Sequence, residues 1–327
     1  MIERVCVVGG GVIGSLYAAH LARVTEVWML TRRVEHADAL RRHGLRVTGK
    51  NDFVATLSAA ADPADLPPFD LGILATKATQ LAGVAKRLEG RFPESLLMTV
   101  QNGLGAEEVV LPHGPWQLVS AVTFMSGTKH SDVHVEYELD TPTWIGPYRG
   151  TATPFEAAQE VEALLRHSGL QAEAMADLLP AQWSKLIFNA TVNAVCALTG
   201  LPHEHHFVES AALTDLGSLV RDLIDEGKRV AAAAGIPLHE DPWEMNVRAV
   251  RRGETASAAY RHLPSMLEDV LAQRLTEIDF ITGALVKEAR RLGVQVPLHT
   301  ALYRLVKGKE ASWQVSTRHL AKLQQPG

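Results

Sequence analysis

The sequence predicts an α/β chain whose second half is all helix, and three observations carry that reading. A β-branched run from Glu3 to Val8 opens directly onto G-x-G-x-x-G, with Gly9, Gly11 and Gly14, and then onto an apolar periodic segment from Ser15 to Arg23. Strand-like and helix-like segments alternate from there to Val100, and a β-rich stretch, a helix and a short strand carry the pattern on to Met175. After Pro180 no strand pattern appears, and apolar residues recur at helical spacing as far as Lys309. At 327 residues, with 46% of them hydrophobic, the chain exceeds the usual size of one domain, and two are expected, over 1–178 and 179–327.

Composition narrows the partners. The net charge of −5 leaves no basic footprint for nucleic acid or an anionic membrane, and the short clusters RRHGLR and RRGE read as solvated faces. The run VCVVGGGVIG follows Glu3 and Arg4 at once and lacks the basic leader of an export signal and the length of a membrane span. Cys6 and Cys196 both sit in apolar surroundings, which suits buried reduced thiols and a cytoplasmic protein.

In the first half, the glycine motif has the context of a Rossmann-type dinucleotide site. The first glycine permits a tight turn, the second lets a pyrophosphate approach the backbone, and the third lets helix and strand pack closely. The second strand, Glu26 to Leu30, ends in Thr31, Arg32 and Arg33. An arginine there suits the 2′-phosphate of NADPH, while Glu35 is the residue that could still make this an NAD site. A polar helix from Val34 to His43 and short strands about Leu45 to Val47 and Phe53 to Leu57 follow. The strand from Asp70 to Thr76 delivers Lys77 at its C-terminal end, and after a helix from Gln80 to Glu89 the strand from Leu96 to Val100 delivers Gln101, Asn102 and Gly103. Asn102 has a donor and an acceptor to hold a nicotinamide or a substrate, although Asn-Gly is also an ordinary turn. From Leu118 to Ile145 the segments are β-rich without helices, which predicts an antiparallel extension of the sheet; His130 and His134 within it lack metal-ligand spacing. A helix from Pro154 to His167 and a strand from Leu170 to Met175 complete this half.

Pro180 opens a helix that is apolar nearly all round except for one stripe, where Lys185, Asn189 and Asn193 fall at i, i+4 and i+8. A helix of that kind is buried, and a buried ammonium beside two carboxamides needs partners or a cavity. The stripe could line a site, or the asparagines could satisfy neighbouring backbone while the lysine reaches water. Further helices are expected over Ala211 to Ala234, Pro242 to Arg252, Pro264 to Leu275, Glu277 to Leu292 and His299 to Lys309. His203, His205 and His206 lie close together, but their spacing matches no common zinc pattern, and the segment reads as a loop with no metal.

Taken together, GGGVIG, ATKATQ, QNGLG, WSKLIFNATVNAVCALTG, PSMLED and TEIDFITGAL, in that order, resemble the ketopantoate reductase (2-dehydropantoate 2-reductase) family over nearly the whole chain. The resemblance implies a Rossmann-type first domain and an all-α second domain like the C-terminal domain of 6-phosphogluconate dehydrogenase. It implies reduction of 2-dehydropantoate to pantoate with NADPH, in pantothenate biosynthesis. Gly9, Gly11, Val12, Ile13 and Gly14 would hold the cofactor, with Arg32 on its 2′-phosphate and Lys77 and Asn102 serving the nicotinamide region. Lys185 would be the catalytic proton donor and Glu277 would bind substrate and support the lysine. Asn102, Asn189 and Asn193 would place the substrate, and Ser265 would contact its carboxylate. Two residues depart from the family pattern, His262 in place of an Asn and Pro264 in place of a Ser, and both bear on which 2-oxo acid fits.

The chemistry asks for such residues. Hydride arriving at a 2-oxo acid places negative charge on the carbonyl oxygen, so a donor is needed there and polar groups must hold the carboxylate. The alternatives are a reductase of the same fold for a different 2-oxo acid, or an NADPH-binding sensor without turnover. The expected partner is a small 2-oxo acid, and the expected assembly a monomer or homodimer.

Overall fold

The first strand, β1 (Arg4–Val8), alternates: Val5 and Val7 enter one apolar cluster, Cys6 and Val8 another. A strand buried on both faces belongs inside a sheet covered by helices on each side. The computed structural model describes residues 2–208, 214–255 and 263–323. The chain divides into two compact units, Met1–Gln101 with Gly105–Leu178, and Asn102–Leu104 with Leu179–Gly327.

In the first unit β1 is followed by α1 (Val12–Leu21), β2 (Glu26–Leu30), α2 (Val34–His43), β3 (Leu45–Gly49), β4 (Phe53–Ala55), β5 (Ser58–Ala60), β6 (Leu71–Leu74) and α3 (Ala78–Leu88). Next come β7 (Leu96–Thr99), α4 (Ala106–Val110), β8 (Gln117–Thr123), β9 (Ser126–Ser131), β10 (His134–Leu139), β11 (Thr143–Pro147), α5 (Phe155–His167) and β12 (Ala172–Ala174). Eight strands form one sheet in the order β12-β11-β8-β7-β6-β1-β2-β5, parallel at every neighbouring pair except β8 with β11. With β2 on one side of β1 and β6 on the other, the winding reverses at β1, the position where such sheets bind ligands.

The β-rich stretch from Leu118 to Ile145 corrects the sequence expectation. Only β11 is an antiparallel addition to the main sheet, because β8 runs parallel to β7. The hairpin of β9 and β10 leaves it for a second sheet, β4-β3-β10-β9. The reason is apolar: Val135 pairs with Val47, and both are fully buried in the cluster that contains Tyr17 of α1. Alternation alone cannot say which sheet a strand joins.

The second unit is helical: α6 (Leu179–Thr199), α7 (Asp215–Ala233), α8 (Pro242–Thr255), α9 (Ser265–Leu271), α10 (Thr282–Arg291) and α11 (Pro297–Leu323). Each of α7 to α11 packs on α6, which accounts for its apolar circumference. Gly227 of α7 permits a close approach, since a Cβ there would lie 2.6 Å from Cγ2 of Ile187.

Here too one expectation fails. Helix α9 stops at Leu271, Gln273 takes φ +50°, and 274–281 runs as a turn before α10. Glu277 therefore lies in a turn. Thr276 supplies the cause: its backbone N and its hydroxyl both donate to Glu310 Oε1, at 2.8 and 2.7 Å, and its Oγ1 accepts from the N–H of Ile278 at 3.2 Å. Side-chain bonds of this kind replace the helical ladder. Among the described residues no helix is long and apolar enough to cross a membrane, and Cys6 and Cys196 are buried free thiols.

Candidate functional site

The chemistry-bearing residues fall into two sets, one in each unit. In the first unit, β1 ends at Val8 and Gly9 turns the chain with φ +108°, a conformation that L side chains avoid. A Cβ at Gly14 would lie 2.0 Å from the Gly9 carbonyl oxygen, so the start of α1 rests on the loop only because no side chain intervenes. Gly11, by contrast, faces open space and caps α1 with no side-chain bond. A helix start leaves backbone N–H groups without intrahelical partners, a geometry suited to anions, and Val12 and Ile13 stand in this first turn.

At the end of β2, Arg32 is exposed and engages no other described residue. Arg33 is held: Nη2 donates to both carboxylate oxygens of Asp132, at 2.7 and 2.6 Å. Asp132 sits at the tip of the β9–β10 hairpin, and from that hairpin Lys129 Nζ donates to the carbonyl of Gly10. Burial tends to raise the Asp132 carboxyl, but the Arg33 hydrogen bond and the neighbouring cations hold it below its usual range. Sequence reasoning missed Lys129 and Asp132. The only local signal was two ordinary charges in a hairpin, and Asp132 is 99 residues from Arg33.

At the ends of β6 and β7 in the same unit, Gln101 Nε2 donates to the carbonyls of Leu74 and Thr76, at 2.6 and 3.0 Å. Its Oε1 and the Thr76 hydroxyl are buried with no partner, polar atoms of the sort a ligand satisfies. Lys77 follows as the N-cap residue of α3.

In the second unit, α6 carries the predicted stripe into its interior: Lys185, Asn189 and Asn193 are 9%, 7% and 6% exposed. Burial pushes the Lys185 ammonium down and the Glu277 carboxylate raises it, leaving it at about 8. The Asn193 amide has no hydrogen-bond partner among the described residues. Asn102 joins this set, since Asn102–Leu104 belongs to the helical unit. The Leu104 N–H donates to the Phe280 carbonyl at 3.0 Å, and at Gly103, with φ +96°, a Cβ would lie 2.0 Å from that oxygen. The outcome brings Asn189 Nδ2 to 3.5 Å from Asn102 Oδ1, the outer limit of a hydrogen bond. The turn bearing Glu277 is thus fixed on three sides: by Glu310 through Thr276, by Leu104 through Phe280, and by α6, where Thr282 Oγ1 donates to the Ala190 carbonyl at 3.2 Å. Ser265 opens α9, partly buried, after a buried Pro264. His262 lies outside the described residues.

The histidine cluster is arranged differently from the sequence reading. His203 Nε2 pairs with Asn246 Oδ1 at 2.7 Å, while ligand atoms of Glu204, His205 and His206 come within 4.8 Å of one another. His130 stacks on His134 at 4.8 Å and pairs with Glu136 at 2.8 Å.

This geometry can be set beside known proteins. The family model described as ketopantoate reductase PanE/ApbA matches residues 5–150, and that of its C-terminal part matches 177–310. The 2-dehydropantoate 2-reductase of Halobacterium salinarum is 30% identical over 311 residues, covering 93% of this chain and 98% of its own. The chain belongs to the ketopantoate reductase family. A ketopantoate reductase of that family from Ralstonia eutropha JMP134 has a similar structure, with a TM-score of 0.81 and 26% identity over 95% of this chain and 100% of its own. The fold extends beyond proteins named ketopantoate reductase. D-mandelate dehydrogenase, solved with NADH and anilino(oxo)acetate, superposes with a TM-score of 0.82 at 23% identity over 95% of this chain and 99% of its own.

Proposed function

We propose that the protein reduces 2-dehydropantoate to pantoate with NADPH, as a cytoplasmic enzyme of pantothenate biosynthesis. The observation that carries this reading is the buried Lys185 ammonium beside Glu277, on one helix face with Asn189 and Asn193 and with Asn102 brought to it. The relatives named 2-dehydropantoate 2-reductase support the substrate.

The glycine loop fits a dinucleotide: Gly9 makes the turn, Gly11 leaves space for an approaching pyrophosphate, and the first turn of α1 with Val12 and Ile13 presents its N–H groups. The unengaged Arg32 is the group that would meet a 2′-phosphate, and Lys77 and Asn102 would serve the nicotinamide end. When bound, the reduced cofactor supplies the hydride that C2 of the 2-oxo acid accepts. Lys185, with its ammonium at about 8, is mostly protonated at neutral pH. It stabilises the developing oxyanion and gives its proton to that oxygen. Glu277 keeps the lysine charged and binds substrate. Asn189, Asn193 and Asn102 place the substrate, and Ser265 holds its carboxylate.

A second reading, reduction of a different 2-oxo acid, is favoured by Pro264, which puts a ring without an N–H directly before Ser265. The test is NADPH oxidation with 2-dehydropantoate beside a panel of other 2-oxo acids, with NADH as control. Preference for 2-dehydropantoate is expected. Turnover only on another acid would sink the substrate assignment and leave the lysine chemistry, and NADPH binding with no turnover on any acid would sink the catalytic reading.

A further inference from the structure

Four side chains from outside the G-x-G-x-x-G motif form one cluster, and two of them, His36 and Lys129, meet the glycine loop. Arg33 Nη2 donates to both oxygens of Asp132, at 2.7 and 2.6 Å. His36 Nε2 meets the Asp132 backbone carbonyl at 2.9 Å, and its Nδ1 lies 3.8 Å from Asp132 Oδ1. Lys129 Nζ bonds the Gly10 carbonyl and stands 3.8 Å from Asp132 Oδ1. His36 is pressed against the loop itself, since a Cβ at Gly10 would fall 2.4 Å from its Cε1. The tip of the β9–β10 hairpin is therefore tied to the phosphate loop and to the end of β2 at once.

In a sheet of this winding, the residues at the end of β2 read the adenosine ribose: a carboxylate there suits the free 2′-hydroxyl, a guanidinium the 2′-phosphate. This chain has two guanidiniums at that position, Arg32 and Arg33, and they are not equivalent. Arg32 is unengaged, whereas Arg33 is occupied by a carboxylate that β2 does not supply. Glu35, the acid that the sequence offered for that place, is exposed on α2.

We propose that Asp132, reaching the ribose end from the β9–β10 hairpin, is a cofactor-selectivity residue: by holding Arg33 it withholds one of the two guanidiniums from a 2′-phosphate and tempers the preference for NADPH over NADH. The proposal rests on the dinucleotide reading of the glycine loop. Lys129 is the strut that keeps Asp132 there, through the Gly10 carbonyl. The pair is partly exposed, at 50% for the Arg33 side chain and 32% for that of Asp132, so its hold on the guanidinium biases selectivity by a modest factor and does not abolish NADP binding.

Calorimetric dissociation constants for NADP and NAD, which need no turnover, test it on the full chain. Asp132→Asn keeps the shape and the backbone carbonyl on His36 but frees the guanidinium. The NADP-to-NAD affinity ratio is expected to rise about tenfold, the scale of one charge-assisted hydrogen bond gained at a part-exposed site. Arg33→Ala in that background is expected to remove the gain, whereas Arg33→Ala alone changes NADP affinity less than twofold and Arg32→Ala weakens it by about tenfold or more. An unchanged ratio in Asp132→Asn, a gain that survives Arg33→Ala, or an Arg33→Ala loss equal to that of Arg32→Ala would each overturn the proposal. The two arginine variants decide it even if Asp132→Asn fails to fold. A wild-type protein that binds NAD more tightly would defeat the NADPH reading, yet the ratio must still rise in Asp132→Asn if Asp132 withholds Arg33.

Discussion

Two of the buried carboxylates in the helical unit, Glu226 and Glu277, act on basic groups that are themselves buried, and they are built for different ends. Glu226 is 2% exposed and both its oxygens are engaged: they accept from the N–H groups of Leu298 and His299 and pair with His299 Nδ1, all at 3.0 Å. It caps the start of α11, where a carboxylate also meets the positive end of the helix. Glu277, 5% exposed, sits on a turn fixed by its neighbours and acts on Lys185 through charge. Burial raises the Glu226 carboxyl, but the His299 and Leu298 hydrogen bonds outweigh it and hold the group low. At Lys185 burial prevails over Glu277 and the ammonium comes down to about 8. A carboxylate held by several hydrogen bonds stays ionised across the neutral range. Lys185, set at about 8 by burial against the Glu277 charge, can give up its proton near neutral pH, and that is what a proton donor needs.

Three experiments bear on that contrast. Lys185→Ala is expected to lower kcat by about a hundred- to ten-thousandfold with cofactor affinity little changed, as measured by steady-state kinetics and calorimetry. Unaltered turnover would end the proton-donor role. The reverse pattern is expected at the other pair: Glu226→Ala should cost about 3 kcal/mol in urea unfolding, by orphaning a part-buried and a buried N–H group and a buried imidazole, while the folded fraction still turns over. A loss under about 1 kcal/mol would show the cap to be dispensable. Its pH signature has one sign throughout. Burial lowers His299 against the raising effect of Glu226, so below its usual 6.5 the unfolded chain takes a proton that the folded chain resists. Glu226, held below its usual 4.5, contributes stability that is present above that value and lost as pH falls through its folded value. Wild-type stability should therefore decline from pH 6.5 downward, and Glu226→Ala should flatten the lower part of that slope. The smallest effect is expected for Glu277→Gln. With the raising carboxylate gone, the limb on which kcat falls with rising pH, near 8 in the wild type, should move acidward by roughly one unit. A limb that stays in place would separate Glu277 from the lysine.

How much of this was legible in the sequence depended on how local the constraint was. Gly9, Gly11 and Gly14 could be read because turn, close approach and helix start fall within six residues of chain. The stripe of Lys185, Asn189 and Asn193 could be read because a helix converts spacing into a face. The turn at Glu277 could not. Leu275, Ile278 and Ile281 are spaced like a helical face, yet Leu275 is 59% exposed and the other two are buried, because Glu310, far along the chain, captures Thr276. Asp132 was hidden for the same reason. Its meaning depends on a hairpin joining the second sheet, which no alternation of residues specifies.

The Gly103 contact also governs how the gene can be cut. The polypeptide passes between its two units three times, after Gln101, after Leu104 and after Leu178. An expressed fragment beginning at Leu179 would carry Lys185 and Glu277 but neither the Asn102 carboxamide nor the Leu104 N–H that the Phe280 carbonyl accepts. Co-expressing the two halves, so that 102–104 arrives with the first, is therefore the minimum for reconstituting this half of the chemistry from pieces.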